Sequence, residues 1–390
     1  MLNNRHIPYL TWLLASMMTL MLTACSTSDE DNVPGSGVEQ QKQPATLAVY
    51  VYAPEPAAAQ KNAVRRRADV GNVDANPAAE GEIRSLQLWI YESETGNYVG
   101  YMDTEEVASL NSGEGALYKI PVSDDFAANK PDVDVYVQAN VKPENCGVGT
   151  LNEETTRANL LNGAKIVETK FGLSPLTTAV PTEGLPMAGH LTTQPVVGEA
   201  PALRVGSMSA VSTVQLTRAV SKLRFVFAKT TGQPKVSITS IKINDKMIPD
   251  EEYLFKTPES MTYNGEEAEL LPTPIDGEDG IASTNDPTQY LYFDQPAQTY
   301  ENLINAANLT VHGPIYLRES DKQRTGTISY SIAGVAQEPV TFQMQQAGDF
   351  LRNHTWIVYA YYAGSDRLQV QSLYVKDWSG KEMSHNFYNW

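Results

Sequence analysis

Thr46-Leu47-Ala48-Val49-Tyr50-Val51-Tyr52 sets Leu47, Val49 and Val51 on one side and Ala48, Tyr50 and Tyr52 on the other. A period of two built from β-branched and aromatic residues predicts a strand with one apolar face. The pattern recurs down the chain. Ile83, Leu86, Leu88 and Ile90, with Trp89 and Tyr91, mark a second strand that turns at Glu94-Thr95-Gly96-Asn97 into Tyr98-Val99-Gly100-Tyr101. Asp132 to Val137 alternates so regularly that one face reads as acidic and polar and the other as apolar. Such pairs predict hairpins of an antiparallel sheet.

Glu153 to Leu161 is the best short helix candidate, and the Pro-, Gly- and Thr-rich stretch from Pro181 to Pro201 reads as a domain junction. Beyond it, Ser212 to Lys229 carries two strand-like pieces around Arg218, and Val236 to Ile243 alternates strictly. Further strands are predicted at Tyr290 to Phe293, Leu309 to Val311, Ile315 to Leu317, Thr327 to Ile332 and Val340 to Met344. An acidic, Pro-rich excursion from Pro249 to Thr288 lies among them. Strand after strand with few helices predicts an all-β chain of two sandwiches.

Composition agrees with this class. The chain has 390 residues, 42% of them hydrophobic, with 20 Tyr, 26 Gly and 23 Pro. Tyr suits half-exposed strands, and Gly and Pro suit the turns between them. A net charge of −17 argues against nucleic acid, which calls for a basic surface. Two Cys, Cys25 and Cys146, give no disulfide framework, and five scattered His give no metal centre. No cofactor is expected.

The amino terminus reads as an address. Arg5 and His6 precede an apolar run from Ile7 to Leu22, the outline of a signal peptide over residues 1–24. It ends in Leu22-Thr23-Ala24-Cys25, which resembles the bacterial lipobox, whose Cys is acylated. Ser26 to Gln43 is polar and acidic, a tether rather than a core. After the first strand, Ala53 to Ala63 leads into Arg65-Arg66-Arg67, three adjacent guanidiniums that repel one another and offer a trypsin-like protease a target.

Familiar catalytic signatures are missing. The chain holds no Gly-x-Ser-x-Gly elbow, His-Glu-x-x-His pair or phosphate-binding Gly-rich loop, and a non-enzymatic protein is expected. Asp276-Gly277-Glu278-Asp279-Gly280 has closely spaced carboxylates but lacks the ligand spacing of an EF-hand, and it reads as an acidic loop. Cys146 has no His near it in sequence and reads as a structural thiol.

Toward the carboxyl end, Arg352-Asn353-His354 opens a strand through Tyr362, and Leu368 to Asp377-Trp378 is extended. The chain stops on Phe387, Tyr388 and Trp390, aromatic residues that call for a groove in this molecule or a neighbour.

This arrangement resembles the fimbrillins, the FimA-type subunits of the type V pili of Gram-negative anaerobes. The likeness rests on the order of Cys25, the strand Leu47 to Tyr52, Arg67-Ala68, the strand Ile83 to Tyr91, Leu216-Thr217-Arg218-Ala219, Arg352-Asn353-His354, Asp377-Trp378 and Trp390. It implies two transthyretin-like β-sandwich domains with a few short helices, at 68–190 and 191–390. It also implies lipidation at Cys25 and export to the outer membrane. An Arg-specific trypsin-like protease then cuts between Arg67 and Ala68, or after Arg65 or Arg66, and removes residues 25–67.

The displaced first strand, with Leu47, Val49 and Val51, would leave a groove. A donor strand at about 368–390 of the next subunit, with Leu373, Val375, Trp378 and Trp390, would fill it. Partners would be identical or related pilus subunits joined head-to-tail in an extracellular fimbrium, and a receptor on a host or bacterial surface. Stalk and tip positions are not separated by these residues. The competing reading is a glycan-binding surface lipoprotein that stays monomeric and lipid-anchored.

Overall fold

The computed structural model describes residues 45–53, 77–104, 115–141, 151–166, 171–172, 176–197, 202–205, 213–244, 248–256, 268–291, 303, 306–320, 324–344, 352–375 and 383–385. The first half forms β1 (Thr46–Tyr52), β2 (Leu86–Glu92), β3 (Tyr98–Thr104), β4 (Gly115–Pro121), β5 (Val133–Ala139), β6 (Lys165–Ile166), β7 (Met187–Thr193), β8 (Pro195–Val197), β9 (Ala202–Val205), β10 (Thr213–Gln215) and β11 (Thr217–Arg218). Two helices interrupt them, α1 (Asp124–Asn129) and α2 (Arg157–Gly163), with Ser123 and Thr156 as side-chain caps that accept from the backbone N–H three residues on.

One five-stranded sheet has the order β10-β1-β9-β8, with β4 also paired to β1; its partner has the order β11-β7-β5-β2-β3. Leu47, Val49 and Val51 meet Leu88 and Ile90 of β2 and Val135 of β5 in the core between the two sheets. Opposite faces of the same strands serve a different core. Trp89 and Tyr91 of β2 and Tyr136 of β5 turn outward, under Leu151, Leu160 of α2 and Tyr316. β2 is buried on both faces through Tyr91, and its Leu88 to Tyr91 form the continuous apolar run that such burial favours.

From Ser221 the pattern repeats in β12 (Ser221–Thr230), β13 (Val236–Asn244), β14 (Glu252–Tyr253), β15 (Ala268–Glu269), β16 (Ser283–Thr284), β17 (Thr310–Leu317), β18 (Arg324–Ile332), β19 (Val335–Ala336), β20 (Val340–Met344), β21 (Thr355–Tyr362), β22 (Gln369–Val375) and β23 (Met383–His385). The order β16-β12-β21-β22-β23, with β17 on β12, faces a sheet ordered β15-β13-β18-β19, with β20 on β18. Leu223, Phe225 and Phe227 of β12 and Trp356 and Val358 of β21 pack against Ile238 and Ile241 of β13. The all-β expectation holds.

Several expectations need correction. The change from the first pair of sheets to the second falls at Ala219 and Val220, not in the stretch Pro181 to Pro201. That stretch holds β7 and β8, because β7 pairs over seven residues with β5 whatever its Gly and Thr content. The predicted strand Tyr290 to Phe293 begins inside a 3-10 turn at Pro287–Leu291. Tyr290 is buried there because its ring meets Tyr359.

The strands predicted at Leu309 to Val311 and Ile315 to Leu317 merge into a single one, β17 from Thr310 to Leu317, across a cis Gly313-Pro314 bond. The polar face of β5 does not face water: Asp134 and Gln138 are buried. Ser93 Oγ and Thr192 Oγ1 donate to Asp134 at 3.1 and 2.7 Å, and Arg157 Nη1 donates to it at 2.8 Å. Burial alone would raise the Asp134 carboxyl; these donors and the neighbouring His190 outweigh it and hold the group below its ordinary range.

Candidate functional site: the first strand and its groove

β1 does not lie at an edge. Its whole length pairs antiparallel with β4, from Thr46 opposite Pro121 to Tyr52 opposite Gly115. On its other side Thr46 to Ala48 pair parallel with Ala202 to Arg204 of β9, and Tyr50 to Tyr52 pair parallel with Thr213 to Gln215 of β10. The Leu216 N–H extends this ladder to the Tyr52 carbonyl at 2.8 Å. Removing β1 would therefore open two strand edges at once.

Leu47, Val49 and Val51 are each fully buried. Each contributes about 1.5–3 kcal/mol by leaving water. On the opposite face the Tyr50 ring lies across Gly115, where a Cβ would stand 2.4 Å from the Tyr50 hydroxyl oxygen and would push the ring aside. The slot that holds β1 is thus shaped by small and apolar groups. Its occupant needs alternating apolar side chains and an unpaired backbone, which are generic strand properties.

β1 is followed at once by the segment that carries the basic tripeptide. The described residues end at Ala53 and resume at Pro77, so Arg65, Arg66, Arg67 and Ala68 lie outside them, as do Cys25 and Cys146. At the carboxyl end β22 pairs antiparallel with β21, with Leu373 opposite Ile357 and Val375 opposite Thr355. β23 pairs in turn with β22. Gln369–Val375 and Met383–His385 of the expected donor segment therefore lie in the sheet of their own chain, while Trp378 and Trp390 fall outside the described residues.

No protein-family model matches the chain, and no curated protein does. Solved fimbrial proteins do match its arrangement. A candidate cell adhesion protein from Parabacteroides distasonis is 14% identical over 84% of this chain and 96% of its own, with a TM-score of 0.47. A fimbrial assembly protein from the same organism is 10% identical over 87% and 99%, at 0.45. The tip fimbrial protein Mfa3 from Porphyromonas gingivalis, carboxyl-terminally truncated, is 12% identical over 83% and 98%, at 0.44. At these scores the likeness assigns no role to any residue of this chain.

Two buried ionic clusters hold the seam between the sheet pairs, and of their positions Arg218 and Arg352 stand out in the sequence reading. Glu80 lies in the 3-10 turn Pro77–Gly81 and is 2% exposed. Its carboxylate accepts from Lys222 Nζ at 2.9 Å and from the Tyr316 hydroxyl at 2.5 Å, while its carbonyl accepts from Arg218 Nε at 2.7 Å. Burial alone would raise the Glu80 carboxyl; Lys222, Tyr316 and Arg224 together outweigh it and keep the group below its ordinary value.

In the second cluster Arg352 pairs with Glu319 and lies 3.4 Å from Glu252. Burial dominates at Glu252, with Arg352 opposing it and Glu319 adding to it, and pushes that carboxyl up to about 8. A cleft of about 570 Å³ opens beside this cluster, lined by His190, Gln215, Phe255, Lys256 and Arg352 among others. Its strongest cation, Arg352, is already committed to Glu319 and to the carbonyls of Tyr253 and Leu254.

Among the described residues no group of three or more His, Cys, Asp or Glu is placed to hold a metal. In the acidic loop Asp276 accepts from Ser237 Oγ at 2.5 Å and pairs with Lys235 Nζ at 2.8 Å. No helix among the described residues is long and apolar enough to cross a membrane.

Proposed function

We propose that this chain is the precursor of a structural, non-catalytic subunit of a cell-surface adhesive pilus, exported as a lipoprotein acylated at Cys25 and assembled by strand addition. The observation that carries the reading is the place of β1: a central strand whose apolar face is fully buried and whose onward connection contains Arg65-Arg66-Arg67. A cut after Arg67 converts β1 from part of the chain into a peptide held by apolar burial and backbone pairing alone. Another strand of the same pattern supplies the same interactions, so exchange is close to balanced in energy.

The donor in this reading is the segment 368–390 of the next subunit, with Leu373 and Val375 taking the places of Leu47, Val49 and Val51. For that, β22 leaves β21 of its own chain. Each subunit then gives one strand and receives one, a head-to-tail contact that does not close and so builds a fibre. The protected precursor delays this until an Arg-specific protease acts outside the cell.

The test replaces Arg65, Arg66 and Arg67 by Ala in the full chain. The variant is expected to reach the surface and remain monomeric with acylated Cys25 as its amino terminus, whereas the parent acquires Ala68. Fibres of parental length from the variant would overturn the assignment of the cut. Acylated Cys25 on surface-extracted parental protein would favour the monomeric glycan-binding lipoprotein instead. Deleting 368–390 is expected to leave processed monomers, and normal polymers from that variant would exclude the carboxyl-terminal donor.

A further inference from the structure

We propose that Arg84 is a latent second cleavage site for a trypsin-like protease, held shut by two buried locks at Glu80 and Asn140, so that processing stops at the basic tripeptide. The physiological part of this rests on the proposed cut after Arg67. The next basic residue after Arg67 is Arg84. An Arg-specific protease that has reached the tripeptide therefore meets one further Arg before the body of the first sandwich.

The Arg84 side chain is 36% exposed, so its charge is visible from solvent. The backbone around it is not available. Asn140 Oδ1 accepts from the Arg84 N–H at 2.7 Å and lies 3.4 Å from the Ser85 nitrogen. Asn140 Nδ2 donates to the Glu82 carbonyl at 2.7 Å and to the Leu185 carbonyl at 2.9 Å. One amide thus ties down both sides of the Arg84–Ser85 bond.

Asn140 is itself seated at the end of β5 with φ of 59°, and Gly184 leaves the room for it: a Cβ at Gly184 would stand 2.4 Å from Asn140 Nδ2. Four residues before Arg84, Glu80 anchors the strap through Lys222, Tyr316 and Arg218. Between the locks Ile83 is fully buried in the core that β1 also fills. Proteolysis at a site requires its backbone to come free of burial and hydrogen bonds. Loss of β1 removes none of the hydrogen bonds named here, whose partners all lie outside β1.

The experiment is a trypsin time course on the full-length chain, read by the masses and amino termini of the products. The parent is expected to gain a terminus at Ala68, or at Arg66 or Arg67, long before one at Ser85. Glu80→Gln, which keeps the shape but removes the charge opposite Lys222, and Asn140→Ala are each expected to release the Ser85 terminus at least about tenfold faster, since cleavage follows the population of the open form. Tyr316→Phe removes one donor, keeps the ion pair and is expected to give a smaller rise. It decides the matter if the other two variants do not fold.

Arg84→Ala is expected to abolish that terminus. Folded variants that release Ser85 no faster than the parent would overturn the proposal, and so would a parent that yields Ser85 as fast as Ala68. A parent whose tripeptide resists trypsin while Glu80→Gln releases Ser85 would instead count against the proposed processing and leave the locks standing.

Discussion

β1 and β12 occupy the same kind of slot in the two halves of the molecule. Each is the first strand of its pair of sheets, each has an antiparallel neighbour on one side, β4 or β17, and each is paired parallel on the other, β1 with β9 and β10 and β12 with β21. Their contents differ. β1 is seven uncharged residues, whereas β12 is ten residues that bury Lys222, Arg224 and Lys229 beside Leu223, Phe225 and Phe227. The onward connections differ as well: β1 runs toward Arg65-Arg66-Arg67, while β12 passes into β13 through the short turn Thr231 to Lys235.

The contrast shows how one architecture serves two ends. Buried charges are specific, because a strand without Lys222 leaves the Glu80 carboxylate buried without its main cation. Apolar side chains in alternation are interchangeable. On the proposed function, a slot held only by them would accept a substitute strand, and a slot held by ion pairs would not.

The largest effect that would test this contrast is at Lys222. Lys222→Met is expected to cost about 3–5 kcal/mol, the usual consequence of stranding a buried partner, in the precursor and the processed form alike. Denaturant unfolding measures it, and a loss no larger than that of a surface substitution would show that β12 is held no differently from β1. Next comes Leu47→Ala, expected to cost about 2–5 kcal/mol in the precursor and nothing once residues 25–67 are gone. Leu223→Ala is expected to cost a similar amount in both forms. Equal losses from Leu47→Ala before and after processing would mean that β1 stays in place.

A last effect concerns pH at the seam. Glu252 is pushed from 4.5 up to about 8, so the folded state holds its proton more tightly than the unfolded chain does. Its stabilising contribution is full below the unfolded value and is lost as pH rises through the folded one. Glu252→Gln should therefore flatten the fall in melting temperature between about 4.5 and about 8. Glu80 has the opposite sign: its lowered value gives stability that is present above 4.5 and lost as pH falls. An unchanged slope in Glu252→Gln would place the titration elsewhere.

Much of the strand content was legible. The alternation in β1, β2, β5 and β13 is local and survives into the structure, because a period of two puts every second side chain on the core side. Thr156 caps α2 within a few residues of the predicted start. β7 was hidden, since Met187-Ala188-Gly189-His190 has little strand propensity and is held by β5 and β11. The burial of the polar side of β5 was not legible, because nothing local to Asp134 announces Arg157 or Thr192. Glu80 was invisible for the same reason, as its cation lies 142 residues away.

The sequence by itself determined the all-β class, the apolar face of the first strand, the lipobox-like Cys25 and the basic tripeptide, since each is written in contiguous residues. Only the tertiary structure decided that β1 lies between β4, β9 and β10, that the seam falls at Ala219 and Val220, and that Glu80 and Asn140 fasten the chain around Arg84. Periodicity reports what a segment buries, but strand neighbours and buried ion pairs depend on which distant segments come together, and no local pattern encodes that.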